Sequence, residues 1–217
     1  MIETPEHIKA AELATRELNA PFATVMLEGK YIDEYLTEAG RDAPIFSDKD
    51  LRVIATPVDF VGINLYRPRA YVIASDQVPG YRAIPFSASH PRLFGSVFSP
   101  ELMYWGPRIV QSLWNPKEIF ITENGCRASD ELAADGSVLD SDRVMFLRNN
   151  LLHLQRATAD GIPVKGYFCW SLMDNFEWRN GFSARFGLVY VDFKTLKRTP
   201  KLSASYFREA AARNAVV

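Results

Sequence analysis

The polar side chains best suited to chemistry stand at the ends of three short apolar segments. In EIFITENGC (118–126), four apolar or β-branched residues run into a carboxylate. The other two segments are VDFVGINLY (58–66) and VKGYFCW (164–170), and the second leads into the loop SLMDNFEW (171–178). The polar and aromatic residues at these ends are Asn64, Tyr66, Glu123, Asn124, Trp170 and Trp178. Aromatic faces stack on the C–H faces of a sugar while carboxylates and amides bond its hydroxyls, so this set predicts a carbohydrate site.

The three segments are predicted to be strands over 58–66, 117–123 and 164–170, because they are short, rich in β-formers and bounded by turn signals. A predicted helix follows each of them, and alternating strands and helices are typical of parallel βα units. Their continuous apolar character favours strands that are covered on both faces. Since a complete (β/α)₈ barrel needs eight such units and about 250 residues, three strands predict an α/β fold that is part of a TIM barrel.

Helix signals fill most of the remaining sequence. Residues 6–28 read as helix that Pro21 bends or splits, and a short helix in YIDEYLTEA (31–39) ends at Gly40. Further helices are predicted after Ser47, with a capping box to Asp50, over 101–114 and after Asp140 or Ser141, and a last one opens at Pro200. The segment between the first strand and residue 99 is predicted to be a long loop.

Composition excludes several functions. The formal net charge of −1 provides no field for nucleic acid or an anionic membrane. The first residues have neither the basic nor the apolar region of a signal peptide, and no apolar run approaches the roughly 20 residues of a membrane span, so a cytoplasmic protein is expected. Cys126 and Cys169 are interpreted as small buried hydrophobic residues, with a disulfide as the alternative.

An ordered set of motifs resembles the C-terminal half of family 1 glycoside hydrolases of the β-glucosidase type. The motifs are DFVGINLY (59–66), ITENG (121–125), GYFCWSLMDNFEW (166–178), GFSARFGLVYVDF (181–193) and KRTPKLSA (197–204). The similarity extends over nearly the whole chain, so residues 1–217 are expected to form one C-terminal portion of a TIM-barrel glycosidase: the last three βα units with preceding helices. The resemblance implies a retaining β-glycosidase that removes terminal β-D-glycosyl residues, with no cofactor and no metal.

The resemblance also assigns roles to individual residues. Glu123 would be the catalytic nucleophile and Tyr66 the hydroxyl that bonds it. Sugar-binding roles fall on Asn64, Trp170, Glu177, Trp178 and Phe186. The alternatives are a buried glutamate paired with arginine at 123, core aromatic residues, and a turn or cap role for Asn64. Asp174 and Asn175 are assigned to bracing their loop, and Lys197, Arg198 and Lys201 to a solvated surface or to pairs with carboxylates.

Two departures from the family pattern matter. Ser96 stands where the family has a tryptophan on the leaving-group side, with Phe98 as a candidate substitute. A retaining mechanism also needs a second carboxyl group about 5 to 5.5 Å from the nucleophile, and the Asn-Glu-Pro motif that carries it in this family is absent from the sequence. Three hypotheses follow: a β-glycosidase portion that works with a complementary N-terminal portion, a non-catalytic sugar-binding remnant, or a structural module in which two copies associate through their open sheets.

Overall fold

The computed structural model describes residues 3–128 and 130–217. Its α-helices are α1 (Pro5–Leu18), α2 (Val25–Glu28), α3 (Asp33–Ala39), α4 (Asp48–Ile54), α5 (Leu102–Trp114), α6 (Ser141–Ala159) and α7 (Leu202–Arg213). The strands are β1 (Val61–Asn64), β2 (Tyr71–Ala74), β3 (Tyr81–Ile84), β4 (Arg92–Leu93), β5 (Ser96–Val97), β6 (Ile119–Asn124), β7 (Val164–Cys169), β8 (Val189–Val191) and β9 (Arg198–Pro200).

Local helix signals place most helix ends correctly. The N-terminal helix is split at Pro21, where Ala20–Thr24 forms a π-helical turn between α1 and α2. Ser47 and Asp50 form the predicted capping box at the start of α4, and Gly40 ends α3 with a φ of 53°. Within the described ranges, no helix has both the length and the apolar character that crossing a membrane requires.

Three predictions about the elements are corrected. The first strand is shorter than 58–66, and the segment predicted as a long loop contains two antiparallel hairpins, β2–β3 and β4–β5. The last helix starts at Leu202 rather than at Pro200, because Pro200 pairs with Val189 as the final residue of β9. Proline is tolerated there since β8 and β9 form a two-stranded sheet in which both strands are edges.

The described chain divides into two compact units. The first comprises the chain up to Val61 together with Arg69–Ala88 and Arg108–Glu118. In it α1 packs on the β2–β3 hairpin, where the Tyr81 hydroxyl donates to Glu17 across 2.8 Å. Arg16 pairs with Glu28, which also accepts a 3.2 Å bond from the indole of Trp114.

The second unit comprises Gly62–Pro68, Ser89–Pro107 and Ile119–Val217. Its sheet has the order β1-β6-β7, and β6 and β7 run parallel. Ile119 and Ile121 are fully buried on one face, where Met103 and Leu154 pack with Ile121. On the other face Gly62 and Thr122 are exposed and Phe168 is 57% exposed, so this face of the sheet is uncovered among the described residues, as expected for three strands of a barrel.

Candidate active site

Tyr66 and Glu123 are brought together at the C-terminal ends of β1 and β6. The hydroxyl of Tyr66 donates a 2.7 Å hydrogen bond to Oε2 of Glu123. Partial burial of the phenol, this hydrogen bond and the charges of Glu123 and Glu177 raise the pKa of Tyr66 well above its usual value. Among the residues that the structure describes, Glu123 forms no ion pair, so the buried glutamate–arginine alternative is not what is found.

The pairing of β6 with β7 shifts in register near the end of β6, where Glu123 lies. Simple alternation would put residue 123 on the same face as the buried Ile121, but the pairing with β7 shifts between Ile121 and Asn124. Asn124 is fully buried instead: its amide donates to the Leu65 carbonyl across 2.6 Å and its oxygen accepts from the Tyr167 hydroxyl across 2.7 Å. The Asn124 side chain therefore ties the three strands together beside the carboxylate.

Gly125 is required by a close approach of backbone. A Cβ atom at this position would lie 1.8 Å from the carbonyl oxygen of Trp170. The Trp170 amide donates to the Asn124 carbonyl across 2.8 Å, so β6 and the end of β7 stay in contact past the last paired residues. The Asn-Gly pair thus allows the strand ends to contact each other.

Trp170 and Glu177 form the second pair of the site. The indole Nε1 of Trp170 donates a 2.9 Å hydrogen bond to Oε1 of Glu177, which is only 8% exposed. The Trp170–Ser171 peptide bond is cis. The charge of Glu177 is one of the smaller causes that raise the pKa of Tyr66.

The remaining predicted residues lie around these pairs with fewer contacts. The side-chain oxygen of Asn64 accepts a 2.7 Å bond from Thr122, the neighbour of Glu123. The Phe186 carbonyl accepts a 3.1 Å bond from the Ser171 amide, which places its backbone beside Trp170. Trp178 is 81% exposed on a one-turn 3-10 helix, so its ring is not packed against Glu177.

The stretch in which the sequence departs from the family pattern forms the β4–β5 hairpin and the residues that follow it. Ser96 belongs to the β4–β5 hairpin, and its side chain is exposed. Phe98 packs against Phe146, with ring centroids 6.0 Å apart, beside the core cluster that contains Cys126. Phe98 is therefore a core residue here.

Sequence reasoning missed a buried charged cluster behind the site. It contains three carboxylates and three cations: Asp130, Asp140, Asp174, Arg143, Arg185 and Lys201. Burial alone would lower the pKa of Arg143, but its bonds to Asp130 and its attraction to Asp140 raise that pKa well above the usual value. Charge balance within the set satisfies the requirement that buried ions be paired.

Two earlier interpretations change with this cluster. The solvated-surface interpretation is wrong for Lys201, which is 1% exposed and pairs with Asp130 and Asp174, whereas the alternative of pairs with carboxylates is confirmed for it. Asp140 precedes α6 as predicted, but its carboxylate does not cap the helix; it bonds Arg143 and the hydroxyl of Ser203. Lys201 lies far in sequence from Asp130 and Asp174, and Asp140 lies far from Ser203, so local pattern carried no signal for these pairs.

Both cysteines are free thiols. Cys126 is buried, and Cys169 packs against the same core cluster. Burial raises the pKa of each thiol to about 12. The interpretation of both residues as small hydrophobic groups agrees with this packing, and the disulfide alternative does not.

These strands, with polar residues gathered at their C-terminal ends, define a portion of a (β/α)₈ barrel that carries a candidate carbohydrate site. The sequence model of glycosyl hydrolase family 1 matches residues 2–216, and the chain belongs to this family. The family and the partial barrel expected from the sequence are thereby confirmed.

Its relatives are β-glucosidases and a glucan hydrolase. The chain is 36% identical to a 1,4-beta-D-glucan glucohydrolase of Thermotoga neapolitana, over 98% of this chain and 48% of that protein. It is 34% identical to beta-glucosidase A of Thermotoga maritima, again over 98% and 48%. The solved structure of the Thermotoga maritima beta-glucosidase with castanospermine matches with a TM-score of 0.81 and 32% identity, over 100% of this chain and 49% of that one. The chain thus spans about half the length of the curated relatives it matches.

Proposed function

We propose that the chain is the nucleophile-bearing portion of a retaining β-glucosidase that removes terminal β-D-glucosyl residues. The observation that carries the proposal is the 2.7 Å hydrogen bond from Tyr66 to Glu123 at the C-terminal ends of two neighbouring parallel strands. In α/β barrels this end of the sheet is where active sites lie. The family to which the chain belongs and the names of its relatives support the same reaction class.

Glu123 is suited to nucleophilic attack. Tyr66 keeps its proton across the physiological pH range because its pKa is raised, so it remains a donor that holds one oxygen of the carboxylate. The other oxygen has no hydrogen bond among the described residues and is available to a substrate. In the first step Oε1 of Glu123 bonds the anomeric carbon as the glycosidic C–O bond breaks, and the leaving oxygen takes a proton from an acid.

Trp170 and Glu177 are proposed to bind the sugar. The half-buried ring of Trp170 offers a face for the C–H groups of a glucosyl unit. One carboxylate oxygen of Glu177 accepts the hydrogen bond from the Trp170 indole, which leaves the second oxygen for sugar hydroxyls. Asn64, Trp178 and Phe186 complete the proposed substrate-binding set, and glucose-like β-glycosides are the proposed ligands.

The reaction needs a second carboxyl group, which we assign to a complementary N-terminal portion. The Asn-Glu-Pro motif of the acid/base is absent from the sequence. The sheet face that carries Gly62, Thr122 and Phe168 is exposed, and covering it would bring further strands against the site. In the second step the same carboxyl group deprotonates a water, which attacks the anomeric carbon and releases Glu123 with net retention of configuration.

The test is aglycone release from an activated aryl β-glucoside. We expect little release by the chain alone, because the acid is missing, and clear turnover when it is mixed with a family 1 N-terminal portion that contains the acid/base. Glu123→Gln should abolish that turnover, whereas Glu131→Gln, at an exposed carboxylate of the loop after β6, should not. Equal release by the Glu123→Gln mixture would refute the nucleophile assignment. Full turnover of an unactivated disaccharide by the chain alone would refute the missing-acid argument.

Ligand binding and oligomeric state, measured on the same samples, separate the two other hypotheses. A sugar-binding remnant would bind a glucose-type ligand through Trp170 and Glu177 yet release no aglycone, either alone or mixed with the N-terminal portion. A self-associating module would form a stable dimer that the N-terminal portion does not dissociate.

A further inference from the structure

We propose that Lys201 is a positioning residue that joins the loop after the nucleophile strand to the loop carrying Glu177, and thereby fixes the hydrogen bond between Trp170 and Glu177. Its importance for sugar binding rests on the proposed function, since Glu177 matters to catalysis only if it binds the substrate. The contacts of Lys201 and Asp174 themselves do not depend on the proposed function.

The ammonium group of Lys201 bridges two loops. It donates to Oδ2 of Asp130 across 2.5 Å and to Oδ1 of Asp174 across 2.8 Å. Asp130 lies in the loop that follows β6 and Glu123, and Asp174 lies in the loop that follows β7 and Trp170. One side chain at the start of α7 therefore links both halves of the site from behind.

The carboxylate of Asp174 anchors the loop that carries Glu177. Its Oδ1 also accepts the Gly187 amide across 3.0 Å, and its Oδ2 accepts Arg185 across 2.6 Å and the Val191 amide across 3.3 Å. These bonds join Asp174, near the beginning of the loop, to residues 185–191 at its end. The two ends of the segment that carries Glu177 are therefore held together. Gly187 permits this closure because a Cβ there would lie 2.1 Å from the Asp174 amide nitrogen.

Lys201 is well placed to fix the position of the Asp174 carboxylate because both side chains are fully buried. In a low-dielectric environment an ammonium between two carboxylates is held by strong attraction, and neither partner can turn to water instead. Without Lys201 the cluster would hold three carboxylates and two cations, and Asp130 and Asp174 would repel each other. We expect this repulsion to displace the Asp174 loop and with it Glu177.

The test follows the indole protons of the folded chain by ¹H–¹⁵N NMR. The four tryptophans give four indole signals, and Trp170→Phe identifies the one that bonds Glu177. Glu177→Gln defines the signal position when an acceptor oxygen remains but the negative charge of the carboxylate is lost. We expect Lys201→Met, which keeps the length of the side chain without its charge, to move the Trp170 signal upfield by at least half the displacement seen in Glu177→Gln.

A matched control exists in the other compact unit. There Glu28 accepts the indole of Trp114 across 3.2 Å and pairs with Arg16. Glu28→Gln should move the Trp114 signal and leave the Trp170 signal in place. A folded Lys201→Met chain with an unmoved Trp170 signal would overturn the proposal.

A second measurement uses the unsubstituted chain, in case Lys201→Met does not fold. Native-state hydrogen exchange should show the Trp170 indole and the Gly187 and Val191 amides opening in one event, because all three depend on the Asp174 anchor. Opening of the indole in a separate, easier event would overturn the proposal. Neither measurement requires turnover, so failure of the aryl glucoside test would remove the proposed function without deciding the role of Lys201.

Discussion

Asp174→Asn replaces one carboxylate oxygen by an amide nitrogen at a fully buried position and leaves the side-chain volume nearly unchanged. The native carboxylate accepts four hydrogen bonds, from Lys201, Gly187, Arg185 and the Val191 amide. In the variant one of the two acceptor atoms becomes a donor that faces two other donors. At least two bonds are lost, and the cluster keeps an uncompensated positive charge.

The expected cost follows from the burial of these groups. Removing one partner of a buried ion pair costs about 3–5 kcal/mol, because the remaining charge is left without compensation in the interior. Half of the acceptor capacity of Asp174 survives as the amide oxygen. We therefore expect a loss in the free energy of unfolding of about 3 kcal/mol, at the lower end of that range.

Urea unfolding, followed by tryptophan fluorescence, measures this loss. With a slope of about 1–3 kcal/mol per molar urea, the midpoint should fall by at least about 1 M. Asp135→Asn is the control: the same chemical change at an exposed turn, where one oxygen accepts both bonds from Ser137, should leave the midpoint in place. A loss below about 1 kcal/mol in Asp174→Asn would refute the reasoning that this ion cluster needs all of its charges.

Three further predictions concern the thiols, the phenols and Gly125. With a pKa of about 12, Cys126 and Cys169 should have a thiolate fraction of about 10⁻⁴ at pH 8. A thiol reagent should therefore label the folded chain slowly and the urea-unfolded chain fast. Rapid labelling of the folded chain would contradict this prediction. The pKa values of Tyr66 and Tyr167 are raised in the folded state, so the contribution of these phenols to stability is complete below about pH 10 and falls at higher pH. Their phenolate absorbance should appear only when the chain unfolds in alkali. Phenolate absorbance of either residue in the folded chain would contradict the raised pKa values. Gly125→Ala should destabilise the chain by about 1–3 kcal/mol or more, because the added Cβ collides with the Trp170 carbonyl. Gly106→Ala is the control and should cost less, because the added Cβ contacts only the movable side chain of Leu65. Equal thermal midpoints of the two variants would show that the strand ends separate easily.

The parts of the fold that follow from local sequence were predictable. Apolar segments bounded by prolines and an Asn-Gly pair mark β1, β6 and β7, and the capping box at Ser47 marks the start of α4. The pairing of Tyr66 with Glu123 followed from the rule that parallel strands end at one edge of a sheet, together with the family resemblance.

Other features depend on the packing of distant segments. Lys201 looks like a surface residue next to Lys197 and Arg198, and only the fold brings it to Asp130 and Asp174. The register shift between Ile121 and Asn124 also lies outside the period-2 pattern of the strand. The short β4–β5 hairpin is held by two residue pairs, too few to mark a strand in the sequence.

The most direct test of the central claim is covalent trapping at Glu123. A 2-deoxy-2-fluoro-β-glucoside with an activated leaving group should transfer its sugar to the nucleophile, since the fluorine slows hydrolysis of the resulting ester. The chain, mixed with the complementary N-terminal portion, should gain the mass of one glycosyl group, located on Glu123 by peptide mapping, and Glu123→Gln should gain none. A label on another residue, or unchanged labelling of Glu123→Gln, would contradict the assignment of Glu123 as the nucleophile.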